Sequence, residues 1–229
     1  MLAILQEATS VIKETVSEEK TLSIYKLIMD GGVGGQIIIA ILLLLLAVAF
    51  YIYFERFFAI KAASKSDKNF MNQIRDHVSN GKLDSAKVLC AQVNSPASRL
   101  IEKGISRIGK PLEDINTAIE NAGRLEIYEL EKNVPVLATI AGAGPMIGFL
   151  GTVIGMIVAI HEIANAGGQI DIKMLSDGLY TAMTTTVAGL IVGIISYIQY
   201  NHLVVRTNKV VYEMEAKSVE FLDLLNEPI

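Results

Sequence analysis

Apolar residues in this chain gather into three long runs instead of the one-sided stripes of soluble helices. Residues 36–54 carry no charge over 19 positions, about 28 Å of helix against a hydrocarbon core of about 30 Å. Residues 134–160 and 179–205 are each uncharged over 27 positions when His202 is neutral, so both exceed the length of a crossing. The pattern predicts an all-α membrane protein with three transmembrane helices. Residues 1–35 form an outer segment, with the amphipathic stretch 22–29 lying flat at the interface and Gly31, Gly32, Gly34 and Gly35 as a flexible entry to the first span. The first five residues are too short for a signal-peptide core and run into Glu7 and Glu14, so they read as part of the mature chain. Residues 161–178, with Gly167 and Gly168, suffice only for a tight hairpin between the second and third spans.

Between the spans the pattern changes to helical amphipathicity. In residues 55–133, Ile115, Ile119, Ala122, Leu125 and Tyr128 recur at three- and four-residue spacing, with Glu120, Arg124, Glu126, Glu129, Glu131 and Lys132 on other faces. This predicts a helix running straight into the second span, with Pro135 as a kink near the membrane surface. Asn80-Gly81 and Ser95-Pro96 mark turns between shorter helices. In the C-terminal helical segment, residues 206–229, the stretch from Val210 to Leu225 is again amphipathic, and no segment alternates as a strand would.

Charge placement sets an orientation. Residues 55–133 hold 13 Lys and Arg, with Arg56, Lys61, Lys65 and Lys68 just past the first span, whereas the hairpin holds only Lys173. Arg206 and Lys209 follow the third span. The positive-inside rule then puts segment 55–133 and the C-terminus in the cytoplasm and the N-terminus on the periplasmic side. Glu55 and Arg56 read as an anchoring pair at the membrane rim, and His161 and His202 as interfacial residues at span ends.

Composition narrows the function. The 229 residues are 52% hydrophobic with a net charge of -4, and the scattered basic residues make no surface for nucleic acid. Cys90 is the single cysteine, so there is no intrachain disulfide and no thiolate metal set; it reads as a buried structural thiol. Neither a nucleophile with its base nor a phosphate loop appears, the glycines at 31–35 lacking the P-loop Lys, so the expectation is a protein that is not an enzyme and needs no cofactor.

The spans contain no Asp, Glu, Lys or Arg, the residues that carry protons through pumps. What they do contain is small and hydroxylated residues in rows. Gly144, Gly148 and Thr152 form one i+4 row; Gly151, Gly155 and Ala159 form its neighbour; and the third span has Thr181, Thr185, Gly189 and Gly193 in register. Such rows let helix backbones approach closely, and a pure packing seam is one reading of them. A polar pathway lining is the other. It is favoured for Thr152 and the triplet Thr184, Thr185 and Thr186, because neighbours about 100° apart on a helix cannot all face one seam.

These residues also carry a resemblance. The stretch Gly144-Pro145-Met146-Ile147-Gly148-Phe149-Leu150-Gly151-Thr152-Val153-Ile154-Gly155-Met156 resembles the APLLGLLGTVxGM signature of the MotA/TolQ/ExbB proton channel family. Ala182 to Leu190 is similar to the family's ALxTTAxGL, and Glu55-Arg56 to the ER that ends its first span. The order of elements looks most like the ExbB and TolQ branches. The resemblance implies a homo-oligomeric ring, five subunits in ExbB-like members, whose second and third spans surround the single helix of an ExbD- or TolR-like partner carrying a membrane Asp. That partner would supply the carboxylate these spans lack. By motif position, Thr152 and Thr186 are the residues implied to face it. The implied function is the channel-forming subunit of an inner-membrane motor, driven by the proton-motive force, that energises TonB-dependent outer-membrane transport with a TonB-like protein as a further partner. The alternatives are a TolQ-like envelope-maintenance, gliding or secretion motor, and a non-conducting scaffold. One departure stands out: ExbB and TolQ types often place a Glu where this chain has Thr181.

Overall fold

Seven helices account for almost all of residues 33–64, 69–165 and 172–226, which the computed structural model describes. The interfacial stretch 22–29, Gly31, Gly32, Gly167 and Gly168 lie outside the described residues. Helix α1 is Val33–Ala63, α2 Phe70–Ser79, α3 Leu83–Val93, α4 Pro96–Ile105, α5 Leu112–Glu131, α6 Val134–Asn165 and α7 Ile172–Asn226. Among the described residues there is no strand. Three stretches, in α1, α6 and α7, are long and apolar enough to cross a membrane. Their outward faces expose Leu43, Leu44, Met146, Phe149, Ile157, Ile194 and Ile198. So much contiguous apolar surface is expected where lipid is the solvent.

The helices outrun the spans. Charge ends an apolar run without ending a helix, so α6 continues to Asn165 and α7 through the charged tail as 55 unbroken residues. The expected continuity from α5 into the second span is broken instead: Lys132 is extended and Asn133 takes a left-handed φ of 63°. Asn tolerates that region better than most residues. Pro135, expected as a kink, lies in the first turn of α6, where its missing N–H leaves no intrahelical bond unmade. The proline inside a helix is Pro145.

The chain divides into two units by its contacts: one is Met1–Ala40 with Phe149–Val187, the other Ile41–Gly148 with Ala188–Ile229. In the first, α6 and α7 run antiparallel, with Gly155 against Ala182 and Gly178 against Ala159, and α1 sets Gly35 beside Thr181. In the second, the short helices α2 to α5 enclose Phe70, Ile74, Cys90, Ile101, Ile105, Ile119 and Phe221, all at most 2% exposed. Ser95 and Ser98 close a reciprocal capping box at the start of α4, with Pro96 in its first turn. Arg99 grips Glu126 through two nitrogens at 2.6 and 2.5 Å, tying α4 to α5.

The buried face of α5 differs from the expected stripe. Ile115, Ile119, Gly123 and Leu130 are inside, whereas Leu125 and Tyr128 are each 70% exposed. Three-residue steps fall about 60° short of a turn, so the series 119, 122, 125, 128 walks off the core face.

Burial pushes the Cys90 thiol up to about 12, with the negative charge of Glu102 adding to the effect. Unfolding returns the thiol to its ordinary value near 9. The folded state holds the extra proton, so this contribution is complete below pH 9 and is lost as pH rises from 9 toward 12. Maleimide labelling of Cys90 at pH 8 should therefore be slow in the folded chain and accelerate at least tenfold on denaturation. A Cβ on Gly104 would fall 2.6 Å from the Phe221 ring and 2.9 Å from Ile119, but one on Gly123 would meet only Leu100 at 3.6 Å. Gly104→Val should destabilise by about 1–3 kcal/mol. Gly123→Ala should be neutral or stabilise by up to about 1 kcal/mol; thermal unfolding in detergent separates the two.

Candidate functional site

Helices α6 and α7 touch through backbone at their glycines. In the second unit, a Cβ placed on Gly189 would lie 2.6 Å from the Gly144 carbonyl oxygen and 2.8 Å from Gly148 Cα. Gly193 leaves room for the Pro145 ring, whose Cγ would stand 2.7 Å from such a Cβ, and for the Ala141 carbonyl at 3.0 Å. That carbonyl is the one Pro145 deprives of its usual helical donor, since proline has no N–H to return to residue i-4. In the first unit, the space Gly151 leaves is filled by Thr185, while a Cβ on Gly155 would meet Ala182 at 3.2 Å. All six glycines named from the sequence thus lie where α6 and α7 meet.

The threonines separate by face. Thr185 is fully buried and donates to the Ala182 carbonyl at 2.8 Å. Thr152 Oγ1, from α6, reaches the same carbonyl at 3.0 Å and also bonds the Thr186 hydroxyl. With the Thr152 hydrogen on Ala182, the Thr186 hydroxyl is the donor of the shared bond. One carbonyl therefore organises three hydroxyls. Thr184 bonds back to Tyr180 at 2.9 Å, the ordinary i-4 alternative for a helical hydroxyl. Thr181 lies beside Gly35 of α1. The structure brings Thr152, Thr185 and Thr186 together and leaves Thr181 and Thr184 on other contacts.

A hydroxyl pair in an uncharged environment can donate or accept by rotation without ionising. Thr152 and Thr186 are both half-buried, so they can meet a group brought to their side of the helix pair. Among the described residues no group of three His, Cys, Asp or Glu could hold a metal ion.

At the far end of the first span, Arg56 is 8% exposed. It pairs with Glu55 and donates through Nη1 to the Glu129 carbonyl at 2.9 Å, in the last turn of α5. Helix C-terminal carbonyls lack partners and carry negative potential, which suits a guanidinium. Arg56 is therefore a bridge between helices as well as a rim residue, a role its position beside Glu55 did not reveal. Sequence reasoning also missed the surroundings of His202. Arg206 Nε donates to His202 Nε2 at 2.9 Å, so the ring proton sits on Nδ1 and is shared with the Tyr53 hydroxyl at 2.9 Å. The Arg206 guanidinium lies over Phe57, 4.7 Å from its centroid. His161 is exposed and bonds Asn165 at 3.1 Å.

The sequence profile of the MotA/TolQ/ExbB proton channel family matches residues 92–216, more than half of the chain. The chain belongs to this family. The match takes in the glycine contacts and all five candidate threonines. Among individual relatives, the Tol-Pal system protein TolQ of Haemophilus influenzae is 27% identical over 226 residues, covering 90% of this chain and 94% of its own. The biopolymer transport protein ExbB of Aquifex aeolicus is 38% identical over 104 residues, covering 44% of this chain and 69% of its own. TolQ of Pseudomonas aeruginosa is 22% identical over 218 residues. Family membership and three apolar helices together make this a membrane protein.

The contact geometry ranks substitutions. Gly189→Leu must push α6 and α7 apart and should destabilise by more than about 3 kcal/mol or abolish folding. Gly144→Ala, with its nearest backbone atom at 3.1 Å, should cost less, and Gly142→Ala, with nothing within 4 Å, should be neutral. Protease resistance in detergent reads the order.

Proposed function

We propose that this chain is the channel-forming subunit of an inner-membrane motor driven by the proton-motive force, and that it acts as a homo-oligomeric ring, a pentamer, around a partner of ExbD or TolR type. The observation that carries the reading is the Thr152–Thr186 hydroxyl pair, held by one backbone carbonyl inside spans that contain no Asp, Glu, Lys or Arg. Such spans cannot relay a proton alone, and the single-span partner's membrane Asp completes them. Protonation of that Asp beside the threonines removes its charge and its claim on their hydrogens. Deprotonation restores both, and the alternation drives the partner's movement. Rotating hydroxyls suit either state. The chain catalyses no covalent reaction in this scheme, and Thr181, where related proteins often carry Glu, contributes no charge to the route. The N-terminus is periplasmic, and residues 55–133 and the C-terminus are cytoplasmic, as the Lys and Arg distribution supports.

The work is delivered to the outer membrane, either to TonB-dependent transport through a TonB-like protein or to envelope maintenance of the TolQ kind. The second use has its own support, because the TolQ relative from Haemophilus influenzae covers 90% of this chain and the ExbB of Aquifex aeolicus 44%.

Two experiments test the proposal. Native mass spectrometry of the complex taken from its own membranes should give a ring of this chain with a small single-span protein bearing a membrane Asp; a ring without one would support the scaffold reading instead. Thr152→Val and Thr186→Val preserve volume and remove the hydroxyls. Each should lower the proton-driven activity at least tenfold while the ring persists, and unchanged activity would exclude the hydroxyl pair from the route.

A further inference from the structure

Outside the apolar spans the chain keeps hydrophobic surface that lipid does not account for. Leu125 and Tyr128 on α5 stand out from the protein, as do Tyr212 and Val219 on α7, which are 71% and 58% exposed. All four lie in charged segments, beyond the uncharged runs that cross the bilayer. Beside them, within the second unit, a groove of about 480 Å³ runs between α5 and α7. Its lining includes Leu100, Ile119, Gly123, Ile127, Met214 and Leu222, with the exposed Glu120, Arg124 and Glu215 at its edge and Val219 as a lip. Gly123 gives the groove depth, since a Cβ there would meet only Leu100.

Groove and projection share a level. Ile119 and Phe221 both border the space at Gly104, which fixes one height common to α5 and α7. From there α5 leads toward the second span and α7 leads back toward the third, so the two run antiparallel. Six residues along α5 reach Leu125 and six back along α7 reach Glu215, each about 9 Å from that height at 1.5 Å per residue. Leu125 is two residues from both Gly123 and Ile127, about 160° away around the helix, and Tyr128 follows one turn later on the outer side. Helix α5 therefore has a hollow on one side and an apolar projection on the other.

A projection and a hollow on opposite sides of one element suit a head-to-tail contact between copies, which closes into a ring or runs on as a filament. Copies held in one bilayer keep a common height, so the projection of one can meet only what its neighbour offers at the same level. We infer that Leu125 and Tyr128 of one copy seat in the α5–α7 groove of the next, against Val219. The occupant of the groove is thus a second copy of this chain. The inference rests on the ring proposed above and assigns the surface that joins its subunits outside the bilayer. Burial of these side chains accounts for an apolar face that would otherwise stand in water.

Disulfide trapping in the full-length chain, in its own membranes, tests this. Leu125→Cys and Glu215→Cys together put one thiol on each surface, both at exposed positions that the fold does not need filled. Cys90 is buried and stays silent. A disulfide needs Cα atoms within about 7 Å, so only a seated projection links neighbouring chains. Oxidation should give a ladder of linked chains beyond the dimer, at least about fivefold above either single variant, because every head-to-tail junction holds both thiols. Native mass spectrometry of the same membranes before oxidation reports the ring independently. A ring whose chains link no more than the single variants would overturn the inference and leave the ring standing, the groove then belonging to another protein. Linked dimers that never extend would show a two-fold contact and overturn the head-to-tail arrangement. Absence of any ring would overturn this inference and the ring together.

Discussion

The contact of backbone with backbone between α6 and α7 is the constraint on which the rest of the structure depends. Gly189 opposite Gly144 and Gly148, and Gly193 opposite Pro145, remove the side chains that would otherwise hold the helices at ordinary separation. In a lipid solvent there is no hydrophobic gain from bringing two apolar helices together, so close van der Waals packing and interhelical hydrogen bonds must supply the attraction. The Thr152 bond to the Ala182 carbonyl needs that proximity, because a threonine side chain reaches only one bond length beyond its Cβ. A seam of larger residues would lose the packing and the hydroxyl arrangement together.

Several polar groups meet the backbone where a helix begins, ends or loses a donor. Arg56 answers an unfilled carbonyl at the end of α5, and the Ala141 carbonyl freed by Pro145 faces the backbone of Gly193. Ser95 and Ser98 satisfy each other's amides at the start of α4. The fold is specified as much by where helices begin, break and lose a donor as by which residues are apolar.

That division explains what could be read from the sequence. The three apolar runs were legible because bilayer thickness imposes a length on them, and the small-residue rows because three- and four-residue spacing puts Gly144, Gly148, Gly151 and Gly155 on one side of a helix. The ends of α6 and α7 were not, since a helix can leave the membrane without ending. The break at Lys132–Asn133 depends on one residue's left-handed backbone, which leaves no periodic trace. Gly123 is buried in α5 but carries no hydropathy signal, so the core face was assigned one step away, to Leu125 and Tyr128. The threonine triplet announced that its hydroxyls diverge; that Thr186 and not Thr184 meets Thr152 follows only from the register of two helices. Gln199 was visible as a polar residue in the third span, yet its burial emerges only from the packed structure.

The short connection between α6 and α7 has a consequence for the order of assembly. Asn165 and Ile172 are separated by six residues, so the pairs nearest the turn, Ala159 with Gly178 and Gly155 with Ala182, close small loops at little entropic cost. Each later pair, through Gly151 and on to Gly144, is then brought into reach by the one before it. Contacts of such short sequence separation form fast. The hairpin can thus zip up as the two segments enter the bilayer, from its turn toward its open end, so that the chain finishes its own seam without help from any other protein.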